Sequence, residues 1–177
     1  MIEWAYFPRN AKPSPFTRSV VAAFEAVASD IDSLANNGQI AVGYKDATSD
    51  RVLSAVRPGL QALGFTVETS KSSDGLIRVP VLYGRGGLPT KSFHADAYCP
   101  AEKFVLEVEA GRAVTNYQFL KDLFEACVMD EVDLLGLAVR RVYKTSADFD
   151  KVYDFFDTLY TSGRLRLPLK GVLLVGY

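Results

Sequence analysis

The sequence is poor in the residues that build zinc sites and disulfide frameworks, since it has one histidine, His94, and two cysteines, Cys99 and Cys127. The cysteines form no CxxC pair and lie in apolar surroundings, so we expect buried thiols rather than a zinc site or a disulfide. No apolar run approaches the ~18 residues that a membrane span requires, and the first residues lack the basic-then-apolar pattern of a secretion signal. We therefore expect a cytoplasmic protein with no membrane partner.

The chain also lacks an excess of either charge, because 20 Lys and Arg stand against 21 Asp and Glu. A protein that coats nucleic acid over its whole surface is expected to be strongly basic, so the balance disfavours that class but allows a local basic surface. Hydrophobic residues make up 49% of the chain, which excludes a disordered protein. At 177 residues, the chain is predicted to form one domain spanning 1–177.

Hydrophobic periodicity predicts helices that alternate with strands. The first helix is predicted to begin at Ser14-Pro15, a cap followed by proline, and to end near Asn37-Gly38. The predicted helices are one of about twenty residues from Pro15, one from Thr48 to Leu63, one over 115–129, and one that opens with a capping box at Thr145–Asp148. The helix over 115–129 is predicted to turn inward Phe119, Leu120, Leu123, Phe124 and Cys127. The predicted strands are 65–69, 76–84, 132–143 and 171–177, with a hairpin over about 92–110, and 40–44 is a strand or a linker. This order predicts an α/β protein with a mixed sheet, in which a hairpin-linked meander precedes helical crossovers.

The hairpin carries an unusual set of acids. Strand alternation places His94 and Asp96 on one face of the first strand, and Glu107 and Glu109 on one face of the second. A loop of two or four residues sets Asp96 opposite Glu107 and His94 opposite Glu109, with Cβ atoms of opposed residues ~4.5–5.5 Å apart. A loop with an odd number of residues would shift the pairing by one position.

Two interpretations of these acids are open, a divalent-metal site and a solvated sheet face. Carboxylates this close repel one another unless a cation joins them, and an oxygen-rich cluster suits Mg²⁺ or Mn²⁺ better than zinc. A solvated face would be expected to include compensating lysines. Positions 94, 96, 98, 105, 107 and 109 contain no Lys or Arg, which favours the metal site.

Asp96, ten intervening residues and Glu107-Val108-Glu109, followed by a helix and an apolar strand, resemble the motif of the PD-(D/E)XK nuclease superfamily, the fold of type II restriction endonucleases. The resemblance covers about 65–143. It implies a restriction endonuclease-like three-layer core, with a central mixed β-sheet flanked by helices. It also implies a Mg²⁺-dependent (or Mn²⁺-dependent) DNA endonuclease of restriction or repair type, in which Asp96 and Glu107 hold the ion that activates a water for in-line attack. DNA is then the partner, and a symmetric homodimer is the implied assembly.

The sequence departs from the superfamily pattern at two positions. Glu109 stands where a lysine is usual, although some restriction enzymes of the superfamily have Glu or Gln there. Glu109 would then be a further ligand or the group that orients the water, and Lys91 or Lys121 would supply a positive charge. Ala95 replaces the proline that usually precedes the first acid.

Five further residues are accessory candidates. His94 lies beside Asp96 and would ligate the metal or contact a phosphate, or be an ordinary edge residue. Arg112, Asn116 and Lys121 follow the second strand, where a helix start near 111–116 would direct N–H groups at a phosphate, the alternative being surface solvation. Glu25 would add a metal-proximal acid from the first helix, as happens in some superfamily members.

Two other function classes compete with the nuclease. A nuclease-fold protein that binds nucleic acid or a protein partner without cutting is favoured by Glu109 in the lysine position and by the balanced charge. An acid-based hydrolase of a small molecule is disfavoured, because no second pair of acids stands out.

Overall fold

The computed structural model describes residues 1–31, 47–111, 113–143 and 145–177, the side chains of 47 and 48 excepted. The strands are β1 (Glu3–Phe7), β2 (Thr66–Val67), β3 (Ile77–Tyr83), β4 (Pro89–Ala95), β5 (Ala97–Cys99), β6 (Phe104–Glu109), β7 (Leu134–Val139) and β8 (Gly171–Gly176). The main helices are α1 (Pro15–Ala26), α2 (Ala47–Ala62), α3 (Gln118–Val128) and α4 (Asp148–Ser162). Within these ranges no helix is both long and apolar enough to span a membrane.

Six strands form a mixed sheet in the order β1-β8-β7-β6-β5-β2, and β3 and β4 form a separate two-stranded sheet. Strands β6, β7 and β8 are parallel and are joined by crossovers that contain α3 and α4, whereas β1, β5 and β2 pair antiparallel with their neighbours. The predicted α/β class with a mixed sheet is therefore confirmed. Strand β1 was not predicted, because only Phe7 of its five residues is fully buried and its sequence carries little strand pattern.

Helices cover both faces of the large sheet, so the described chain has three layers. Alternate residues of β6 divide between two cores, since Val105 packs on the side of α3 and α4 while Leu106 packs on the side of α1 and α2. The same division holds in β8, where Leu174 lies on the first side and Leu173 on the second. Because the central strands are buried on both faces, they read as continuous apolar runs.

Helix ends follow the predicted capping in part. Ser14 caps α1 and its Oγ accepts a hydrogen bond from the Thr17 N–H at 3.1 Å, as predicted. α1 ends at Ala26, earlier than predicted, and the predicted stop at Asn37-Gly38 and the segment 40–44 lie outside the described residues. The predicted capping box is wrong, because α4 begins at Asp148 itself, and Ser146 Oγ donates a hydrogen bond to that carboxylate.

The predicted hairpin is broken at Asp96. β4 ends at Ala95 and pairs with β3, whereas β5 begins at Ala97 and pairs with β6. Ala95 and Ala97 would share a face in a continuous strand, yet they pack into opposite cores, so the chain changes direction at Asp96. The bend also corrects the predicted pairing of His94 with Glu109, because His94 pairs with Arg78 of β3.

The register after the bend is the predicted one. Residues 100–103 form the loop, in which Pro100–Glu102 make a short 3₁₀ helix and Lys103 adopts a left-handed conformation with φ of 52°. Cys99 consequently pairs with Phe104, and Ala97 pairs with Leu106. Asp96 and Glu107 are the next residues beyond the last pair, Ala97 with Leu106.

Candidate active site

A cleft of about 260 Å³ opens where the chain bends at Asp96. Its walls come from β4, the bend, β6 and α3, and from the segment that follows β2. The cleft brings together the three predicted site acids, Asp96, Glu107 and Glu109, and the accessory candidates His94 and Lys121. These residues therefore share one concave surface, although they are spread over 28 positions of the sequence from 94 to 121.

The backbone of β6 holds Asp96 beside Glu107. Asp96 Oδ2 accepts a hydrogen bond from the Val108 N–H at 2.8 Å, and the Asp96 backbone N–H lowers the pKa of the Glu107 carboxyl slightly. On its other side, the Asp96 carbonyl accepts from the Glu68 N–H at 2.7 Å. The bend thus positions the first acid between β2 and β6, directly beside the second acid.

Burial and mutual repulsion raise the pKa values of both acids. Desolvation raises the pKa of Asp96 from 3.8 to about 6, and the Val108 hydrogen bond and Lys71 offset the rise only in part. Desolvation also raises the pKa of Glu107 well above its usual value, and the charges of Asp96 and Asp122 raise it further. A bound cation would reverse this balance, because it favours the ionised carboxylates.

Two buried acids complete the cleft and were not predicted. Glu68 follows β2, is 5% exposed, and its Oε1 lies 2.6 Å from Lys71 Nζ. Asp122 lies on α3, is 4% exposed, and has its pKa raised to about 8 by desolvation first and then by the charge of Glu109. The available signal for Asp122 was its place between Phe119 and Ala126 on the buried face of α3. Of the predicted inward residues of α3, Phe119 and Leu123 are buried, whereas the prediction for Phe124 is wrong, because its side chain is 60% exposed.

Lys121 supplies the positive charge on the α3 wall of the cleft. Its Nζ lies 3.0 Å from Glu125 Oε2 and 3.7 Å from Asp122 Oδ1, and the side chain is 55% exposed. The other predicted lysine, Lys91, is exposed and outside the cleft lining, with its Nζ 4.9 Å from the centre of the Phe93 ring. The structure therefore favours Lys121 over Lys91 as the charge near the acids.

Two of the remaining accessory candidates, Glu25 and Asn116, are not brought to the cleft. Glu25 is exposed on α1, and Asn116 is exposed in the turn before α3. Neither belongs to the described lining of the cleft. α3 begins at Gln118 rather than near 111–116, so the predicted helix start is wrong. Arg112 lies outside the described residues.

The donor set of the cleft suits a hard divalent cation, because its charged donors are carboxylate oxygens. The alternative of an open, solvated sheet face does not describe β6, in which Val105, on the same face as Glu107, is fully buried. In the ranges that the structure describes, no three His, Cys, Asp or Glu side chains already converge as a closed metal site. A cation would consequently have to draw the carboxylates closer together.

No family model matches this chain, and no curated protein matches it. The fold and the cleft are therefore the grounds on which a function is argued.

Proposed function

We propose that this protein is a Mg²⁺-dependent or Mn²⁺-dependent endonuclease that hydrolyses phosphodiester bonds in DNA. The observation that carries the proposal is the meeting of Asp96 and Glu107 in one acidic cleft, where the Asp96 carboxylate accepts a hydrogen bond from the β6 backbone at Val108 N–H, next to Glu107. Two carboxylates held in this way form the minimal oxygen site for a divalent cation that acts on a phosphate.

The surrounding elements support the same class. β5 and β6 are antiparallel, α3 follows, and β7 returns parallel to β6. This is the order of strand, strand, helix and strand that the resemblance to PD-(D/E)XK nucleases implies. Helices on both faces of the sheet agree with the three-layer core that the same resemblance implies.

Four residues of the cleft have roles in the proposed reaction. Asp96 and Glu107, with Glu109 beside them, would hold the cation, and the cation when bound would polarise the phosphodiester and make a water more acidic. Glu109 extends from the end of β6 at the cleft wall, where a carboxylate can orient a water by accepting its proton. Lys121, on the opposite α3 wall, would bind a non-bridging phosphate oxygen and stabilise the negative charge that develops there.

Lys121 can also compensate for the lysine that is missing at position 109. The superfamily usually has its lysine on the strand, two residues after the second acid. Here the strand position holds an acid, and a lysine enters the same cleft from α3. The positive charge that the chemistry needs is thus present, although it comes from a different element.

The test combines cleavage with metal binding. Supercoiled plasmid, linear duplex and single-stranded DNA are incubated with the protein in Mg²⁺ or Mn²⁺, and products are compared for wild type, Glu107→Gln and Glu25→Gln. We expect cleavage by wild type and by Glu25→Gln, whose acid lies outside the cleft lining, and none by Glu107→Gln. If wild type binds DNA but cleaves none of a broad set of DNAs at saturating Mn²⁺, the endonuclease proposal is wrong and a nuclease-fold protein that binds DNA without cutting it takes its place.

A further inference from the structure

Asp122 presents a buried carboxylate oxygen for which the described protein supplies no hydrogen-bond donor. The residue is 4% exposed and lines the cleft, yet its Oδ2 is buried and without a hydrogen-bond partner among the described residues. Leaving a buried carboxylate oxygen unsatisfied costs about 1–3 kcal/mol or more. Native structures rarely retain such a group unless something else contacts it.

The neighbouring lysine, Lys121, does not donate a hydrogen bond to Asp122 Oδ2. Lys121 Nζ is directed to Glu125 Oε2 at 3.0 Å, and it approaches the other oxygen of Asp122, Oδ1, only to 3.7 Å. The charged groups that act on Asp122 from the sheet are acids, Glu109 and Asp96. Within the described residues, the surroundings of Oδ2 are therefore those of a ligand oxygen rather than of a paired carboxylate.

α3 brings Asp122 to the same cleft as the strand acids. The helix packs against β6 and β7, with Phe119 and Leu123 in the core that Val105 also joins. Asp122 thereby stands on the cleft wall between these two anchors, and its buried carboxylate has little freedom to swing into solvent.

We propose that Asp122 is a ligand of the divalent cation in this cleft, so that acids from the bend, from β6 and from α3 hold one ion. The inference rests on the proposed cation site of Asp96 and Glu107 and adds to it a ligand from the helix. Binding of the ion would join α3 to the sheet, and the same helix carries Lys121. Metal binding therefore fixes the position of the lysine that faces the phosphate.

The experiment is a Mn²⁺ titration by calorimetry and by electron paramagnetic resonance on wild type, Asp122→Asn, Glu107→Gln and Glu125→Gln. The asparagine keeps the shape of Asp122 and removes its charge. Glu125 is the matched control, because it is a buried acid on the same helix that lies outside the described cleft lining. We expect Asp122→Asn to weaken Mn²⁺ binding at least tenfold and Glu125→Gln to change it less than threefold.

The outcomes separate the two proposals. Wild-type Mn²⁺ affinity in Asp122→Asn, together with loss of binding in Glu107→Gln, would overturn the role of Asp122 and leave the strand site in place. A wild-type protein that binds no Mn²⁺ at millimolar concentration would overturn both. Circular dichroism verifies folding, and Asp122→Ser is a second variant if the asparagine does not fold. The rise in Tm that Mn²⁺ causes is a further readout, and we expect this rise to be smaller in Asp122→Asn and in Asp122→Ser than in wild type.

Discussion

The carboxylate of Asp96 accepts a hydrogen bond from the backbone N–H of Val108 at 2.8 Å, across the junction between the bend and β6. This bond ties the first acid of the cleft to the residue that follows the second acid. The geometry of the site thus depends on backbone atoms of β6, whose neighbour on the other side is the buried strand β7. A rigid central strand is the kind of element on which a metal site can be held in place.

Glu107→Gln is expected to remove activity without loss of stability. The carboxyl has a pKa raised by desolvation and by the charges of Asp96 and Asp122, so ionising it in the metal-free fold is unfavourable. A neutral amide of the same shape relieves this, and we expect the free energy of unfolding near pH 8 to stay equal or to rise by up to ~2 kcal/mol. Urea unfolding in EDTA measures it. A loss of more than ~1 kcal/mol would contradict a strained carboxyl at this position.

The stability of the metal-free protein is expected to fall as the pH rises. Burial raises the pKa of Asp96 to about 6 and that of Asp122 to about 8, whereas an unfolded aspartate titrates near ~3.9. Each carboxyl binds its proton more tightly in the folded chain than in the unfolded chain, so its contribution to stability is fully present below about pH 4. As the pH rises, the contribution of Asp96 is lost by about pH 6 and that of Asp122 by about pH 8. Thermal unfolding in EDTA across this window checks the slope.

Two comparisons sharpen the pH experiment. Asp122→Asn should reduce the slope from about pH 4 to about pH 8, and the remaining fall should lie mainly below about pH 6, where Asp96 still titrates. Saturating Mg²⁺ should reduce the fall above about pH 6, because the cation binds the deprotonated carboxylates and stabilises the folded state. A Tm in EDTA that stays level from about pH 4 to about pH 8 would contradict the raised pKa values.

Lys121→Gln is expected to slow DNA cleavage on the order of 10²-fold, the size of effect found when one donor to a developing negative charge is removed. Mn²⁺ affinity should stay equal or increase, because a positive charge beside the acids is lost. Lys91→Gln is the matched control, since that lysine is exposed and outside the cleft lining. Single-turnover rates at saturating metal separate the two variants. Equal rates for both lysine variants would show that the charge from α3 is not used.

The sequence predicts the pairing of Asp96 with Glu107, but it does not predict the bend in the strand that carries Asp96. Asp96 and Glu107 meet because the hairpin loop has four residues, one of the even lengths for which the sequence predicts that they lie opposite each other. The bend at Asp96 could not be derived, because apolar residues at 93, 95, 97 and 99 fit a continuous strand equally well. Their division between two cores depends on the separate sheet of β3 and β4, which is a tertiary feature.

Asp122, the buried acid on α3, was not predicted for a related reason. On α3, the apolar residues allow more than one inward face, and Phe124 was placed inside where Asp122 is buried instead. Propensity and hydrophobicity favour burial of the phenylalanine. The burial of Asp122 conflicts with that preference, and local conflicts of this kind between pattern and structure are expected at functional or strained sites.

Gly136→Ala is expected to destabilise the fold through strand β6. Gly136 of β7 pairs with Leu106, and an added Cβ would lie 2.5 Å from Leu106 Cδ1 and 2.9 Å from Phe104 Cε2. Both side chains are fully buried, so the contact can be relieved only by repacking or by displacing the strand that carries Glu107. Overpacking of this kind costs ~1–3 kcal/mol, which urea unfolding measures.

Adding Leu106→Ala should cost less in the Gly136→Ala background than in wild type, because the shortened side chain makes room for the new methyl group. Strict additivity of the two substitutions would mean that the methyl group is accommodated elsewhere and that β6 keeps its place.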